Sequence, residues 1–299
     1  MARIPGGTSS LARLIAAGVL AMVPAGVLGQ GASGPEAPAR PKVYALVAAV
    51  GTDFHVAVEV KSTGSRLNNY RRKSVDAPEN LLNLVVLQAL DKEIAQVRPG
   101  AERIYLSLPA ARLDGLLPSR RDDVAIARVV EELRRIPQRE QWERIVVATP
   151  AYKAFEMNGV GDKLQGLGVS VHPIKSDLST FFNLPFYRDS MHGDEALAPD
   201  GRTVTTEIYL APYSYLAIWV LDPGTLEVLD KQVRFDNRKL ANPGSGTFDL
   251  VESVGKEFIA RQIVDLIGRS IHEAVAHTEL AGRTEIHDVR EVKPDEAAK

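Results

Sequence analysis

Apolar positions along this chain fall into three periodicities, and each predicts a different kind of element. Two continuous runs, Val43 to Val50 and Ile145 to Thr149, are stopped by Gly51 and Pro150. Unbroken runs of this length belong to strands buried on both faces. A shorter strand, Ile104 to Leu108, closes at Pro109. Period two takes over where Phe54, Val56, Val58 and Val60 alternate with His55, Ala57, Glu59 and Lys61. That alternation predicts a strand with one face in water and His55 on the wet side. Val169 to His172 predicts a further strand.

Helical spacing marks the segments between these strands. Asp76-Ala77-Pro78-Glu79 has the residues of a helix start, and the helix runs to about Val97. It carries Leu81, Leu82, Leu84, Val85, Leu87, Leu90 and Ile94 as a stripe, and Pro99-Gly100 ends it. Asp122 to Ile136 is a second helix, Tyr152 to Leu167 a weaker one, and Phe248 to about His277 a long one. Lys61 to Ala77 is polar and reads as a surface loop, and Ser176 to Arg202 is irregular. Thr203 to Leu210 predicts one strand. Tyr213 to Leu221 and Leu226 to Phe235 flank Asp222-Pro223-Gly224-Thr225, a tight turn that makes them an antiparallel hairpin. Thr284 to Val289 predicts an edge strand.

Strands separated by helices in repeated order predict an α/β fold with a mixed, mainly parallel sheet and helices on both faces. The 213–235 hairpin extends this sheet and the long C-terminal helix backs it. The expected organisation is a signal peptide over 1–29, a Gly/Pro/Ala-rich linker over 30–42, a single α/β domain over 43–290 and a mobile tail over 291–299.

The first 29 residues add an address. Arg3 and Arg13 precede an apolar run from Leu14 to Val23, followed by Val23-Pro24-Ala25 and Val27-Leu28-Gly29. A positive start, a short apolar core and small residues before a cut make a secretory signal, with cleavage expected near Ala25 or Gly29. The core is too short for a membrane span, which needs roughly 20 residues. With no cysteine the chain can form no disulfide and do no thiol chemistry, and no lipoprotein-type lipid anchor is expected. The expected location is the bacterial periplasm or the medium, with no integral membrane segment after cleavage. The net charge of −2 falls to −4 once Arg3 and Arg13 leave, which gives no footprint for nucleic acid.

Candidate chemistry begins at Asp53-Phe54-His55, just beyond the first buried strand, since ligands gather at the carboxyl ends of parallel strands. Asp177, Thr149 and Ser107 stand near other strand ends. Asp and His two apart after a first strand resemble the opening of the calcineurin-like metallophosphoesterases. That resemblance implies a metal-dependent hydrolase using Asp53 and His55 with Asp177 or His172. It stops there: Gly161-Asp162 falls inside the weak helix, no Gly-Asn-His follows, and His192-Gly193 has the wrong order. His272-Glu273-Ala274-Val275-Ala276-His277 misses the zinc-protease motif by one residue. Histidines five apart point about 140° away from each other, against about 40° for the required four. No nucleophile elbow, P-loop or dinucleotide fingerprint is present, and Gly244 to Thr247 reads as a helix start capped by Thr247.

Two stretches suit partners instead. Arg66, Arg71, Arg72 and Lys73 form a basic run that includes Tyr70. Phe181, Phe182, Phe186 and Tyr187 place four aromatics in the irregular segment. The expectation is a non-catalytic envelope-accessory module, with an envelope protein, a glycan or a small molecule as partner and no cofactor or metal. The alternative is the metal-dependent hydrolase, and a third reading is a small-molecule binder beneath the aromatic segment.

Overall fold

The computed structural model describes residues 42–59, 70–111, 113, 115–151, 164–172, 194–206, 208–247 and 249–282. The strands are β1 (Val43–Ala48), β2 (Asp53–Glu59), β3 (Tyr70–Asp76), β4 (Glu102–Ser107) and β5 (Arg144–Pro150). They continue with β6 (Gly166–His172), β7 (Asp194–Leu197), β8 (Thr203–Thr206), β9 (Tyr209–Leu221) and β10 (Val228–Asn237). The helices are α1 (Leu81–Val97), α2 (Pro118–Leu133), α3 (Leu250–Val254) and α4 (Lys256–Ala276).

Eight of these strands form one mixed sheet. β1 pairs in parallel with β4 and β5, and β2 in parallel with β6, while β2–β3, β5–β9, β6–β9 and β9–β10 are antiparallel. Registers show how eight strands make five rows. β10 occupies one edge of β9 from Tyr213 to Leu221. β5 and β6 therefore share the other edge, β5 beside Leu216–Leu221 and β6 beside Tyr209–Tyr215. β1 and β2 run end to end in the next row, and β4 and β3 flank them outermost. The sheet is thus a single ladder interrupted across its middle. The hairpin adds β9 and β10 to the parallel rows, as its turn residues predict.

Both faces of the upper rows are covered. Tyr44, Leu46, Ala48, Val146, Ala148, Ile218 and Val220 face α1 and α4, meeting Val86, Leu90, Ile94, Ile267 and Ile271. The alternate residues Ala45, Val47, Ile145, Val147, Ala217 and Trp219 face α2 at Ile126, Val129 and Leu133. This double burial is why β1 and β5 are apolar throughout.

Several boundaries depart from the periodicity. Tyr70–Asp76 is the edge strand β3 and not loop, because backbone pairing to β2 needs no apolar side chains. Thr203–Leu210 is interrupted: β8 pairs with β7 inside the segment read as irregular, and β9 starts at Tyr209. α2 starts at Pro118, four residues early. The long C-terminal helix is two, parted at Gly255 with φ 89°. Asp249 caps α3 in place of Thr247, its side chain accepting from the N–H groups of Val251 and Glu252. Residues 152–163, with most of the expected weak helix, and the strand 284–289 lie outside the described residues; Gly166 and Leu167, the end of that helix, open β6.

Candidate functional site

The interruption of the sheet creates a cleft. β1 ends at Ala48, β4 at Ser107 and β5 at Pro150, and the chain passes directly into β2 on the first of these paths. Gly51 makes that passage with φ 78°. A Cβ there would lie 2.6 Å from the Cβ of Ala110, so no side chain fits at this point. Asn83, buried on α1, holds the floor together. Its Oδ1 accepts from the Val50 N–H at 2.9 Å, and its Nδ2 donates to Ser107 Oγ and the Leu108 carbonyl, each at 2.9 Å. The cleft has a volume of about 330 Å³ and is lined by Thr52, Asp53, His55, Asp76, Arg121 and Gln165, beside Pro109, Ala110 and Pro150.

His55 is buried at 5% exposure, contrary to its expected place in water. The period is right, but the face is covered: Ser74, its register partner on β3, and Gln165 close over the ring. Hydrogen-bond logic fixes its protonation. Arg121 can only donate, so its contact at 3.0 Å must be with Gln165 Oε1. Gln165 Nε2 then faces His55 Nε2 at 3.2 Å as donor, which makes that ring nitrogen an acceptor. The proton sits on Nδ1 and goes to Ser74 Oγ at 3.0 Å. The imidazole is neutral, and both of its nitrogens are engaged. Burial, reinforced by the charge of Arg72, lowers its pKa from 6.5 to about 4.

Tyr213 completes this cluster. Its ring crosses Gly168, where a Cβ would come within 2.6 Å of the phenol oxygen. Its hydroxyl donates to the Gln165 carbonyl at 3.4 Å, and burial raises its pKa, so it stays protonated. The cleft thus has a wall of neutral groups bonded to one another and to the Arg121 guanidinium, and a rim carrying two carboxylates. Asp53 and Asp76, both exposed, are register partners across β2 and β3.

The residues singled out in the sequence distribute unevenly. Asp53 and His55 line the cleft together. Arg72 lies on β3, one strand position from each of Arg71 and Lys73, while Tyr70 and Arg71 pair through their backbones with Glu59 and Val58. His172 ends β6 opposite Tyr209. Arg66, Asp177, Phe181, Phe182, Phe186 and Tyr187 lie outside the described residues. Ser107 and Thr149 serve as hydrogen-bond partners of Asn83 and of Trp219 Nε1, the latter at 3.0 Å. His272 and His277 point to different partners, Glu93 Oε2 and the Glu273 carbonyl, each at 2.7 Å. Among the described residues no three His, Cys, Asp or Glu side chains gather as a metal site would require.

Sequence reasoning missed Asn83, Ser74, Arg121, Gln165 and Tyr213. One of them had a signal: Asn83 is a polar residue within the apolar stretch from Leu81 to Leu87.

No family model matches the chain, and no curated protein does. Among solved structures, the chain is similar to a putative neuraminyllactose-binding hemagglutinin homologue from Helicobacter pylori. It is 7% identical, with a TM-score of 0.33, over 83% of this chain and 87% of that one. A Xanthomonas campestris protein of the family DUF330 is 7% identical at a TM-score of 0.27, over 80% and 88%. A hypothetical protein from Chlamydia trachomatis is 9% identical at 0.26, over 80% and 99%. Among the described residues no helix is long and apolar enough to cross a membrane.

Proposed function

We propose that this chain is an exported, non-catalytic binding module of a bacterial envelope that takes its ligand in the cleft at the interruption of the sheet. The observation that carries the reading is the state of His55. A general base or a metal ligand needs a free nitrogen lone pair, and here Nε2 is occupied by Gln165 while Nδ1 carries the proton to Ser74. The chemistry-bearing group is committed to building the wall. The position supports it too, since open α/β sheets collect ligands beyond the carboxyl ends of their strands, and a pocket of about 300 Å³ suits a small molecule or one protruding group of a larger partner.

The rim extends the surface. Asp76 and Ser74 belong to the same strand, β3, as Tyr70, Arg71 and Arg72, which the sequence joins with Arg66 into one basic run. These residues and the aromatics Phe181, Phe182, Phe186 and Tyr187 are the proposed partner contacts. Export rests on the signal pattern of residues 3 to 29.

The test is a thermal melt of the purified protein against monosaccharides, amino acids and nucleotides, then with EDTA followed by Mn²⁺ or Zn²⁺. A ligand at a hundred times its Kd stabilises the native state by about 2.7 kcal/mol. The expected result is a rise in Tm with one organic class that disappears in Ala110→Trp, which fills the cleft. A rise with metal that disappears in Asp53→Ala would overturn the reading in favour of the hydrolase.

A further inference from the structure

The cleft at the interruption of the sheet holds charges of both signs, and neither compensates the other. On one side Asp53 and Asp76 are register partners across β2 and β3. Register partners of an antiparallel pair point to the same face with Cβ atoms about 4.5–5.5 Å apart, and like charges placed so repel. Both carboxylates are exposed, and among the described residues neither takes a hydrogen bond or an ion pair. On the other side stands Arg121. Its Nε donates to the Leu116 carbonyl at 2.9 Å and its Nη1 to Gln165 Oε1 at 3.0 Å. Among the described residues Nη2 has no partner, and no carboxylate pairs with the guanidinium.

The fold keeps these charges apart. Arg121 is tied at two nitrogens, and Gln165 is tied in turn to His55 Nε2. Asp53 and Asp76 are fixed by the β2–β3 ladder. Arg121 can reach them only by giving up the bonds that hold it. The rest of the lining includes the apolar Pro109, Ala110, Leu113 and Pro150.

This combination selects a class of ligand. A neutral sugar would leave both charges without a counter-charge, and a nucleotide would bring its phosphates to two carboxylates. A simple cation would leave Arg121 unanswered. A zwitterion answers both ends, because an ammonium offers three donors to carboxylate oxygens and a carboxylate matches the planar fork of a guanidinium. At about 330 Å³ the cleft is small for a ligand site, in a range of about 300–1,000 Å³.

We propose that the cleft receives a small zwitterion of the amino-acid type, its ammonium between Asp53 and Asp76 and its carboxylate on Arg121. The carboxylate takes Nη2 and the second N–H of Nη1, and the ligand's side chain lies against the apolar lining. The inference rests on the cleft being the binding site proposed above and adds the class of its ligand. Free amino acids and short peptides carry the same two charged ends, and the length of the compound that binds tells them apart.

The test is isothermal titration of the purified protein with each common L-amino acid and a series of dipeptides. The N-acetyl and carboxamide derivatives of the compound that binds follow. The expected result is a binder whose affinity falls about tenfold or more when either charged end is blocked. Asp53→Asn and Asp76→Asn should each weaken the parent compound and leave the N-acetyl derivative where it was. Both side chains are exposed, so neither substitution touches the core. Binding by no amino acid or dipeptide, equal affinity of the N-acetyl derivative, or undiminished binding to Asp76→Asn would overturn the proposal. A sugar or nucleotide whose binding is lost in Ala110→Trp would overturn the zwitterion and keep the cleft. An amino acid that binds Ala110→Trp equally well would overturn the cleft itself.

Discussion

The two ends of the interrupted sheet are built from the same ladder and to opposite purposes. In the upper rows β1, β4, β5 and the second half of β9 sit between helices, and alternate side chains enter one apolar layer or the other. In the lower rows β2, β3 and β6 carry His55, Ser74, Arg72 and Ser170, and among the described residues no helix of the α2 layer reaches them. Burial is comparable: Leu46 is fully buried and His55 is 5% exposed. What differs is how burial is satisfied. Apolar contact stabilises the upper half on both faces without direction; the lower half has one such face, where Val169 and Leu210 meet Val254 and Ile259, while on its other face each buried polar atom needs a specific partner. A directional network keeps polar groups at a cleft wall, which an apolar core cannot do.

The sharpest way to break the comparison is to remove apolar volume from the upper half. Leu46→Ala should cost about 2–5 kcal/mol in chemical denaturation, because its surroundings are closed on both sides. An equal loss from a polar substitution in the lower rows would erase the distinction.

The next effect belongs to His55 and depends on pH. Its folded pKa of about 4 lies below the ordinary 6.5, so between these values the unfolded chain binds a proton that the folded chain refuses. Stability should therefore fall as pH drops from 6.5 towards 4, by up to roughly 3 kcal/mol. The wild-type curve minus that of His55→Gln isolates this loss, and parallel curves would sink the neutral assignment. Gln165→Glu sharpens it further. A carboxylate facing Nε2 holds a proton there, so the His55 NMR titration midpoint should move upward from about 4.

Asn83→Ala, which unties the floor between the halves, should lose about 1–3 kcal/mol for each buried partner left unsatisfied. Asp53→Ala comes last. Its carboxylate is exposed on the rim, so thermal unfolding should show no measurable change, whatever happens to ligand binding.

Legibility in the sequence followed the same division. β1, β5, α1 and the β9–β10 turn were readable because continuous runs, helical stripes and Pro-Gly punctuation are local signals. β3 was not, since an edge strand such as Tyr70–Asp76 is held by backbone bonds and shows no apolar period. Asp53 and His55 were found through their position after a buried strand. Their surroundings were not, because His55 meets Ser74 across 19 residues and Gln165 across 110, while Gln165 meets Arg121 across 44.

By itself the sequence determined the α/β order, the doubly buried strands, the hairpin and the absence of any cysteine chemistry. Each of these follows from residue type and short-range spacing, which act before the chain is folded. Only the tertiary structure decided that β5 and β6 share one edge of β9, that the resulting interruption is a cleft, and that His55 is neutral inside it. Those outcomes depend on which distant donors and acceptors arrive at the same place, and in a period-two strand a histidine bound for water and one bound for a covered face look the same.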